Sequence, residues 1–215
     1  MVATRRGEAA LYVVEPGPPP RGVVLLGHGA GGDSAAPSLV VVAESLAAAG
    51  FAAVRFDQPY RVAGRRAPAP AAQLDEAAYD VVAHLRTTYG EIPLVLGGKS
   101  SGARVACRIA ASVGAVGVVA LGFPLWPPGK PDRSRAPELE QAGAPVLVCQ
   151  GDRDVFGTPA DLAVAMRGLP GAVHAVASGD HSFVARRSDG RTTAQNLAEV
   201  AEVVAAWVLA QTVAT

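Results

Sequence analysis

Cysteine is scarce in this sequence, and its placement indicates no special chemistry. The 215 residues include only two cysteines, Cys107 and Cys149, each inside an apolar segment. Two such residues are more often packed in a core than joined in a disulfide. No Cys and His spacing resembles a zinc site. We therefore expect no disulfide, no metal and no other cofactor.

The sequence also lacks an excess of charge of either sign. Nineteen Lys and Arg balance nineteen Asp and Glu, and the only lysines are Lys99 and Lys130. A neutral chain is not expected to attract nucleic acid or an anionic membrane. No apolar run of about 18 residues predicts a membrane span, and the Pro-broken N-terminal segment does not resemble a secretory signal. We expect a cytoplasmic protein; the sequence leaves its oligomeric state open.

Apolar runs typical of buried strands alternate with segments of helical periodicity. Strands are predicted at 8–14 (a weak edge strand), 22–27, 51–57, 94–96, 115–121, 145–150 and 173–177. Helices are predicted at 38–49, at 74–89, after Gly102 through Arg108, near 137–142, and at 159–167 and 193–211. This alternation predicts one α/β domain over residues 1–215, with a mostly parallel sheet and helices on both faces. In such sheets ligands bind at the carboxyl ends of the strands.

The segment Pro93–Arg104 contains the pattern Gly98-Lys99-Ser100-Ser101-Gly102 between a predicted strand and a predicted helix. Gly-x-Ser-x-Gly in this context is typical of a nucleophile elbow, in which a sharp turn exposes a reactive serine. The flanking glycines allow strand and helix to approach closely. A phosphate-binding P-loop is the competing interpretation. It requires a glycine where Pro93 stands, so we favour the elbow.

A nucleophilic serine needs a base and a group that orients the base. His181 follows the last predicted strand, in Gly179-Asp180-His181-Ser182-Phe183, and is the best candidate base. The acid could be Asp152 or Asp154 after the preceding strand, or Asp180 beside the histidine. We favour Asp154, because it lies further beyond the strand end and can reach the histidine loop.

An oxyanion hole needs two backbone N–H groups directed at one point. The N–H group of Ser101, directly after the nucleophile, is one candidate. The second is expected in the glycine-rich loop after strand 22–27, where Ala30 is our first choice and Gly31 the second.

Six stretches together resemble a known family. They are GHGAGGD (27–33), RFDQPY (55–60), GGKSSGAR (97–104), GFPLWPPGKP (122–131), QGDRDVFG (150–157) and GDHSF (179–183). Together they resemble the α/β-hydrolases. More narrowly, they resemble the small lidless dienelactone-hydrolase-like proteins and the testis-expressed protein 30 and KAT8 regulatory NSL complex subunit 3 family. The resemblance implies an α/β-hydrolase fold and a triad of Ser100, Asp154 and His181. Ala103 and Trp126 depart from the family pattern, but neither replaces a catalytic group.

The segment 122–144 is too short for a cap domain, so we expect an open, shallow pocket. We expect the side chains of Tyr60, Phe123, Leu125 and Trp126 to form its walls, and His28 to lie in the loop beneath it. Lys99, Arg61, Arg65 and Arg66 are candidates for selecting an anionic substrate, although solvated loop charges are the simpler interpretation.

These expectations combine into one function. The sequence predicts a serine hydrolase that cleaves small esters or thioesters through an acyl-enzyme and needs no cofactor. A peptidase or C–C hydrolase is a variant of the same chemistry. A different class stays open, namely a non-catalytic scaffold or interaction protein built on the same fold.

Overall fold

A computed structural model describes residues 1–213 of the chain. Its strands form one sheet in the order β1-β2-β4-β3-β5-β6-β7-β8. The strands are β1 (Val2–Thr4), β2 (Gly7–Val14), β3 (Val23–Gly27), β4 (Ala52–Asp57), β5 (Leu94–Lys99), β6 (Gly117–Leu121), β7 (Val146–Gly151) and β8 (Gly171–Val176). β1 and β2 form an antiparallel hairpin at one edge. The other six strands are parallel, which confirms the predicted mostly parallel sheet.

Helices cover both faces of this sheet. They are α1 (Pro37–Ala48), α2 (Pro59–Val62), α3 (Ala71–Tyr89), α4 (Ser101–Ile109), α5 (Ala136–Glu140), α6 (Pro159–Ala165) and α7 (Thr193–Val213). Apolar residues of α1 and α7 pack on one face, and those of α3, α4, α5 and α6 pack on the other. Strands β3, β5, β6 and β7 are buried along nearly their whole length, which explains their continuous apolar sequences.

Helix α7 has the length and hydropathy of a membrane-spanning helix, contrary to the expectation that no segment would reach that threshold. Its Val200, Val204 and Val208 are nevertheless buried in the core with α1. A helix that packs one face on a sheet passes the same test of length and composition.

The sequence missed two short elements. Strand β1 has only three residues, and α2 has four and lies inside the segment expected to be a loop. Neither is long enough to show periodicity, and the proline that opens α2 suits a first helical turn as well as it suits a loop. The other elements lie within a few residues of their predicted positions.

The chain between β6 and β7 leaves the carboxyl edge of the sheet uncovered by any cap. This segment contains only the five-residue helix α5, which packs against α4 through Leu139. The absence of a cap domain agrees with the expectation from the sequence.

Candidate active site

Ser100 occupies a sharp turn between β5 and α4. Its backbone has φ 52° and ψ −108°, a conformation that residues with a side chain rarely adopt. A Cβ added at Gly102 would lie 2.1 Å from the carbonyl oxygen of Gly27, and one at Gly98 would lie 2.3 Å from the same atom. Strand β3 and the elbow therefore meet backbone to backbone, and only glycine fits at either position.

His181 and Asp154 form a direct hydrogen bond. His181 lies in the loop of residues 177–186 that follows β8, hereafter the histidine loop, and Asp154 lies in the turn after β7. The distance from His181 Nδ1 to Asp154 Oδ2 is 2.7 Å, and the side chain of Asp154 is fully buried. This bond places the Nδ1 proton toward the carboxylate and leaves Nε2 available as a base.

The carboxylate of Asp154 has two further donors. Gln150 Nε2 donates to Asp154 Oδ2 at 2.8 Å, and the N–H group of Phe156 donates to Oδ1 at 2.9 Å. The Gln150 side chain is 0% exposed and also donates to the carbonyl of Gly157 at 2.8 Å. Sequence reasoning missed Gln150. A polar residue at the end of an otherwise apolar strand, directly before the acid loop, is the signal that could have found it.

Two other candidate acids hold loops in place instead of orienting the histidine. Asp152 Oδ2 accepts from the N–H group of Ser178 at 2.9 Å. Asp180 Oδ1 accepts from the N–H groups of Ser182 and Val184 at 2.7 and 3.0 Å. The structure thus brings Asp154, the favoured acid, to the histidine and uses Asp152 and Asp180 to shape the loop around it.

Ser100 and the imidazole of His181 both lie against the end of β6. The N–H group of Ser100 donates to the carbonyl of Leu121 at 3.0 Å. A Cβ added at the following residue, Gly122, would lie 3.3 Å from His181 Nδ1. Within residues 1–213, however, Ser100 Oγ makes no hydrogen bond to the imidazole. Such bonds are often long in unliganded enzymes and tighten when substrate binds.

Two backbone N–H groups beside Ser100 have no acceptor within residues 1–213. Those of Ala30 and Ser101 donate to no group in the part of the chain that the structure describes. Ala30, Ser100 and Ser101 line one cleft. The N–H group of Ser101 also lies at the first turn of α4, where the helix dipole favours negative charge. The arrangement is chemically suited to stabilise an oxyanion.

The cleft has a volume of about 280 Å³. Pro68 and Ala69 line it, from the segment before α3, as do Phe156, from the loop after Asp154, and Pro124, from the segment after β6. Its remaining lining residues are Ala30, Ala71, Leu74, Ser100, Ser101, Arg104, Arg108 and Arg135. The ring of Phe156 also packs on His181, with 4.4 Å between centroids, and so joins the cleft to the histidine.

None of the six expected pocket residues is among those that line this cleft in the described part of the chain. Tyr60, Phe123 and Leu125 are buried in the apolar core, and Phe123 is 0% exposed. Trp126 packs against that core from its edge. The apolar character that suggested a pocket wall instead directs these side chains into the sheet–helix interface. The other two expected pocket residues are His28 and Lys99.

His28 and Lys99 have structural hydrogen bonds. His28 is buried, its Nδ1 donates to the carbonyl of Gly29, and its Nε2 accepts from the N–H group of Gln58. Burial lowers the pKa of His28 and favours this neutral form. Lys99 Nζ donates to the carbonyl of His181 at 3.2 Å, and burial lowers its pKa as well. Lys99 therefore supports the histidine loop.

The remaining candidate cations lie outside the cleft. Arg61 forms an ion pair with Asp33, while Arg65 and Arg66 are exposed. Within residues 1–213, no group of three or more His, Cys, Asp and Glu is arranged to hold a metal ion.

Comparison with known proteins assigns the fold. Residues 20–209 match the family model described as the alpha/beta hydrolase domain. A lidless α/β serine hydrolase from Xanthomonas campestris superposes with a TM-score of 0.74 at 20% identity, over 96% of this chain and 92% of that one. A dienelactone hydrolase from Anabaena variabilis gives a TM-score of 0.75 at 22% identity, over 97% and 94%. A serine hydrolase homologue from Coxiella burnetii gives 0.73 at 18% identity, over 94% and 92%.

Proposed function

Because the chain belongs to the alpha/beta hydrolase domain family, with residues 20–209 matching its model, we propose that it is a serine hydrolase. It cleaves small esters or thioesters, with Ser100 as nucleophile, His181 as base and Asp154 as the acid that orients the base. The finer resemblance to the testis-expressed protein 30 and KAT8 regulatory NSL complex subunit 3 family adds no settled substrate.

The observation that carries the proposal is the buried bond between His181 Nδ1 and Asp154 Oδ2, at 2.7 Å, beside a serine on a glycine-flanked elbow. An isolated Gly-x-Ser-x-Gly pattern would not suffice, because it specifies a turn and no chemistry. A fully buried carboxylate that orients a histidine at the edge of a cleft is better explained by catalysis than by a structural role.

In the proposed mechanism, Ser100 Oγ attacks the carbonyl carbon while His181 Nε2 accepts the hydroxyl proton. Asp154 stabilises the resulting imidazolium, and the N–H groups of Ala30 and Ser101 stabilise the negative oxygen. His181 then returns the proton to the leaving alcohol or thiol, which leaves an acyl group on Ser100. Water, deprotonated by the same imidazole, attacks the acyl-enzyme and releases the acid and free Ser100.

The first test is labelling with a fluorophosphonate probe, followed by mass spectrometry of the modified peptide. We expect labelling at Ser100 that disappears in Ser100→Ala. Ester and thioester hydrolysis should fall by about a thousandfold or more in Ser100→Ala and in His181→Ala. Ser182→Ala is the matched control, because its side chain is exposed and adjacent to His181.

The competing function is a non-catalytic scaffold on the same fold. The one observation that favours it is that, within residues 1–213, no hydrogen bond joins Ser100 Oγ to the imidazole of His181. A folded wild-type protein that neither reacts with the probe nor hydrolyses any ester would establish this alternative. Labelling at Ser101 would instead move the nucleophile by one residue.

A further inference from the structure

The cleft beside Ser100 has an unbalanced charge. Three arginines line it, namely Arg104, Arg108 and Arg135, and no Asp or Glu does so within residues 1–213. Two carboxylates, Asp75 and Glu138, pair with two of these arginines outside the lining. Three guanidinium groups and two carboxylates leave one positive charge without a partner.

The hydrogen bonds show which arginine carries that charge. Arg104 holds Glu138 through its Nε and Nη2 atoms at 2.7 and 2.6 Å. Arg108 holds Asp75 through the same two atoms at 2.9 and 2.6 Å. This edge of the guanidinium matches the two oxygens of a carboxylate.

Arg135 presents the same edge without a protein partner. Its side chain donates only through Nη1, to the carbonyl of Pro124 at 2.9 Å, in the part of the chain that the structure describes. Its backbone N–H group donates to the carbonyl of Leu125 at 2.7 Å. Two bonds to the same segment therefore fix the position of Arg135, while its Nε and Nη2 make no hydrogen bond within residues 1–213.

The surroundings of Arg135 favour an anion. Burial, followed by the nearby charge of Arg104, lowers the pKa of Arg135, and the charge of Glu138 opposes this shift without cancelling it. An arginine nevertheless stays protonated in proteins. A bound carboxylate would neutralise this charge in the cleft, as Glu138 and Asp75 do for the two neighbouring arginines.

We propose that Arg135 binds a carboxylate of the substrate through its Nε–Nη2 edge, so that the preferred substrate is an ester or thioester carrying a second, ionised carboxyl group. This inference rests on the proposed hydrolase function. It replaces Lys99, Arg61, Arg65 and Arg66 as the source of anion selectivity.

The test uses two pairs of substrates that differ only in charge. Mono-4-nitrophenyl succinate and 4-nitrophenyl 4-oxopentanoate place the carboxylate, or its neutral counterpart, on the acyl side. 4-Acetoxybenzoate and its methyl ester place them on the leaving-group side. We expect the wild type to prefer the anionic member of at least one pair, and the responding pair identifies the side on which the carboxylate binds.

In Arg135→Gln, the ratio of kcat/KM for the anionic over the neutral ester should fall by about tenfold to a hundredfold. Arg135→Lys keeps the charge without the planar edge and should give an intermediate ratio. Arg133→Gln is the matched control, since Arg133 is exposed two residues earlier, and it should keep the wild-type ratio. Ratios in Arg135→Gln equal to the wild-type ratios for both pairs would overturn the proposal.

A binding measurement separates this inference from hydrolysis. Calorimetry with monomethyl glutarate on Ser100→Ala should show binding that weakens by about tenfold or more in Ser100→Ala/Arg135→Gln. If the wild type cleaves none of the four esters but this difference remains, the hydrolase proposal fails and the anion site stands. Equal or absent binding in both variants would overturn the anion site, whatever the esterase assays show.

Discussion

The elbow and the histidine loop each bring one reactive side chain to the carboxyl edge of the sheet, but different contacts hold them. At the elbow, β3 and α4 touch through Gly27 and Gly102, with no side chain between them. The histidine loop is held by hydrogen bonds from side-chain donors, such as Arg153 and Asn196, and from backbone N–H groups, such as that of Arg153 to the carbonyl of Gly179 at 2.9 Å. The backbones of Gly151 and Gly179 also approach closely. Steric exclusion fixes the nucleophile, whereas hydrogen bonds fix the base.

This difference predicts that substitutions in the two regions have different effects. A change at the elbow forces two backbones apart and should affect the whole fold. A change in the histidine loop removes one of several donors and should affect the position of the base more than global stability.

The largest effect is expected from Gly102→Ala, which tests whether close backbone packing fixes the elbow. The new Cβ would meet Gly27 O at 2.1 Å, so β3 and α4 must separate. We expect a loss of about 3 kcal/mol or more in the free energy of unfolding, measured by urea denaturation, together with loss of probe labelling at Ser100. In the matched control Gly17→Ala, the Cβ meets no atom within 4 Å, and stability should change little. A stable, fully reactive Gly102→Ala protein would contradict the steric account.

Gln150→Met should have the next largest effect, because it removes a buried donor to Asp154 at nearly constant volume. We expect a loss of about 1–3 kcal/mol in stability, since the carboxylate and the Gly157 carbonyl lose a donor. We also expect a fall of about tenfold in kcat, because Asp154 holds His181 less firmly. Gln141→Met is the control on an exposed glutamine. Unchanged kcat with lowered stability would make Gln150 purely structural.

Arg153→Ala tests whether hydrogen bonds hold the histidine loop in place. Arg153 donates to the carbonyls of Ser178 and Val184 at 2.8–3.0 Å. We expect hydrogen exchange to accelerate in residues 177–186 while the free energy of unfolding falls by only about 1 kcal/mol. Arg167→Ala, on an exposed arginine of another segment, should leave exchange in the histidine loop unchanged. Faster exchange spread evenly over the protein would contradict a local role.

The smallest effect concerns pH and His28, which lies two residues before Ala30 in the glycine-rich loop after β3. Burial lowers the pKa of His28 from 6.5, so below this value the unfolded chain binds a proton that the folded chain excludes. Stability should therefore fall as the pH drops through about 6.5, by at most about 1.4 kcal/mol per pH unit. Urea denaturation near pH 7.5 and 5.5 should show a smaller decrease in His28→Gln than in the wild type. His84→Gln, on an exposed histidine, should match the wild type.

The sequence predicts those features that depend on short segments next to strand ends. The mostly parallel sheet follows from apolar runs such as 22–27. The pairing of His181 with Asp154 matches the sequence expectation because each residue lies in the loop after a strand and parallel strands end at the same edge. Their roles in catalysis remain predictions until the labelling and kinetic tests are made.

The walls of the cleft could not be predicted in this way. Phe123 and Leu125 follow β6 and were expected in the pocket, but the core takes up their apolar side chains. Arg135 keeps an unpaired guanidinium edge because Asp75 and Glu138 bind the two other arginines of the cleft. These pairs join residues more than 30 positions apart. Side-chain pairing between helices that are distant in sequence is a property of the packed structure, and no local sequence pattern predicts it.

The contact between Gly27 and Gly102 also bears on how such a protein changes over generations. Every missense change at Gly102 adds a side chain, and each would collide with β3, so selection for folding alone preserves this glycine. The side chain of Ser100 does not collide with β3 in this way, since it opens onto the cleft. A descendant that lost catalysis could carry a substitution at the serine and still retain the glycines that the fold requires. Among relatives of this chain, the glycines of the motif thus report a folding requirement, and only the serine, the histidine and the buried acid together report enzymatic activity.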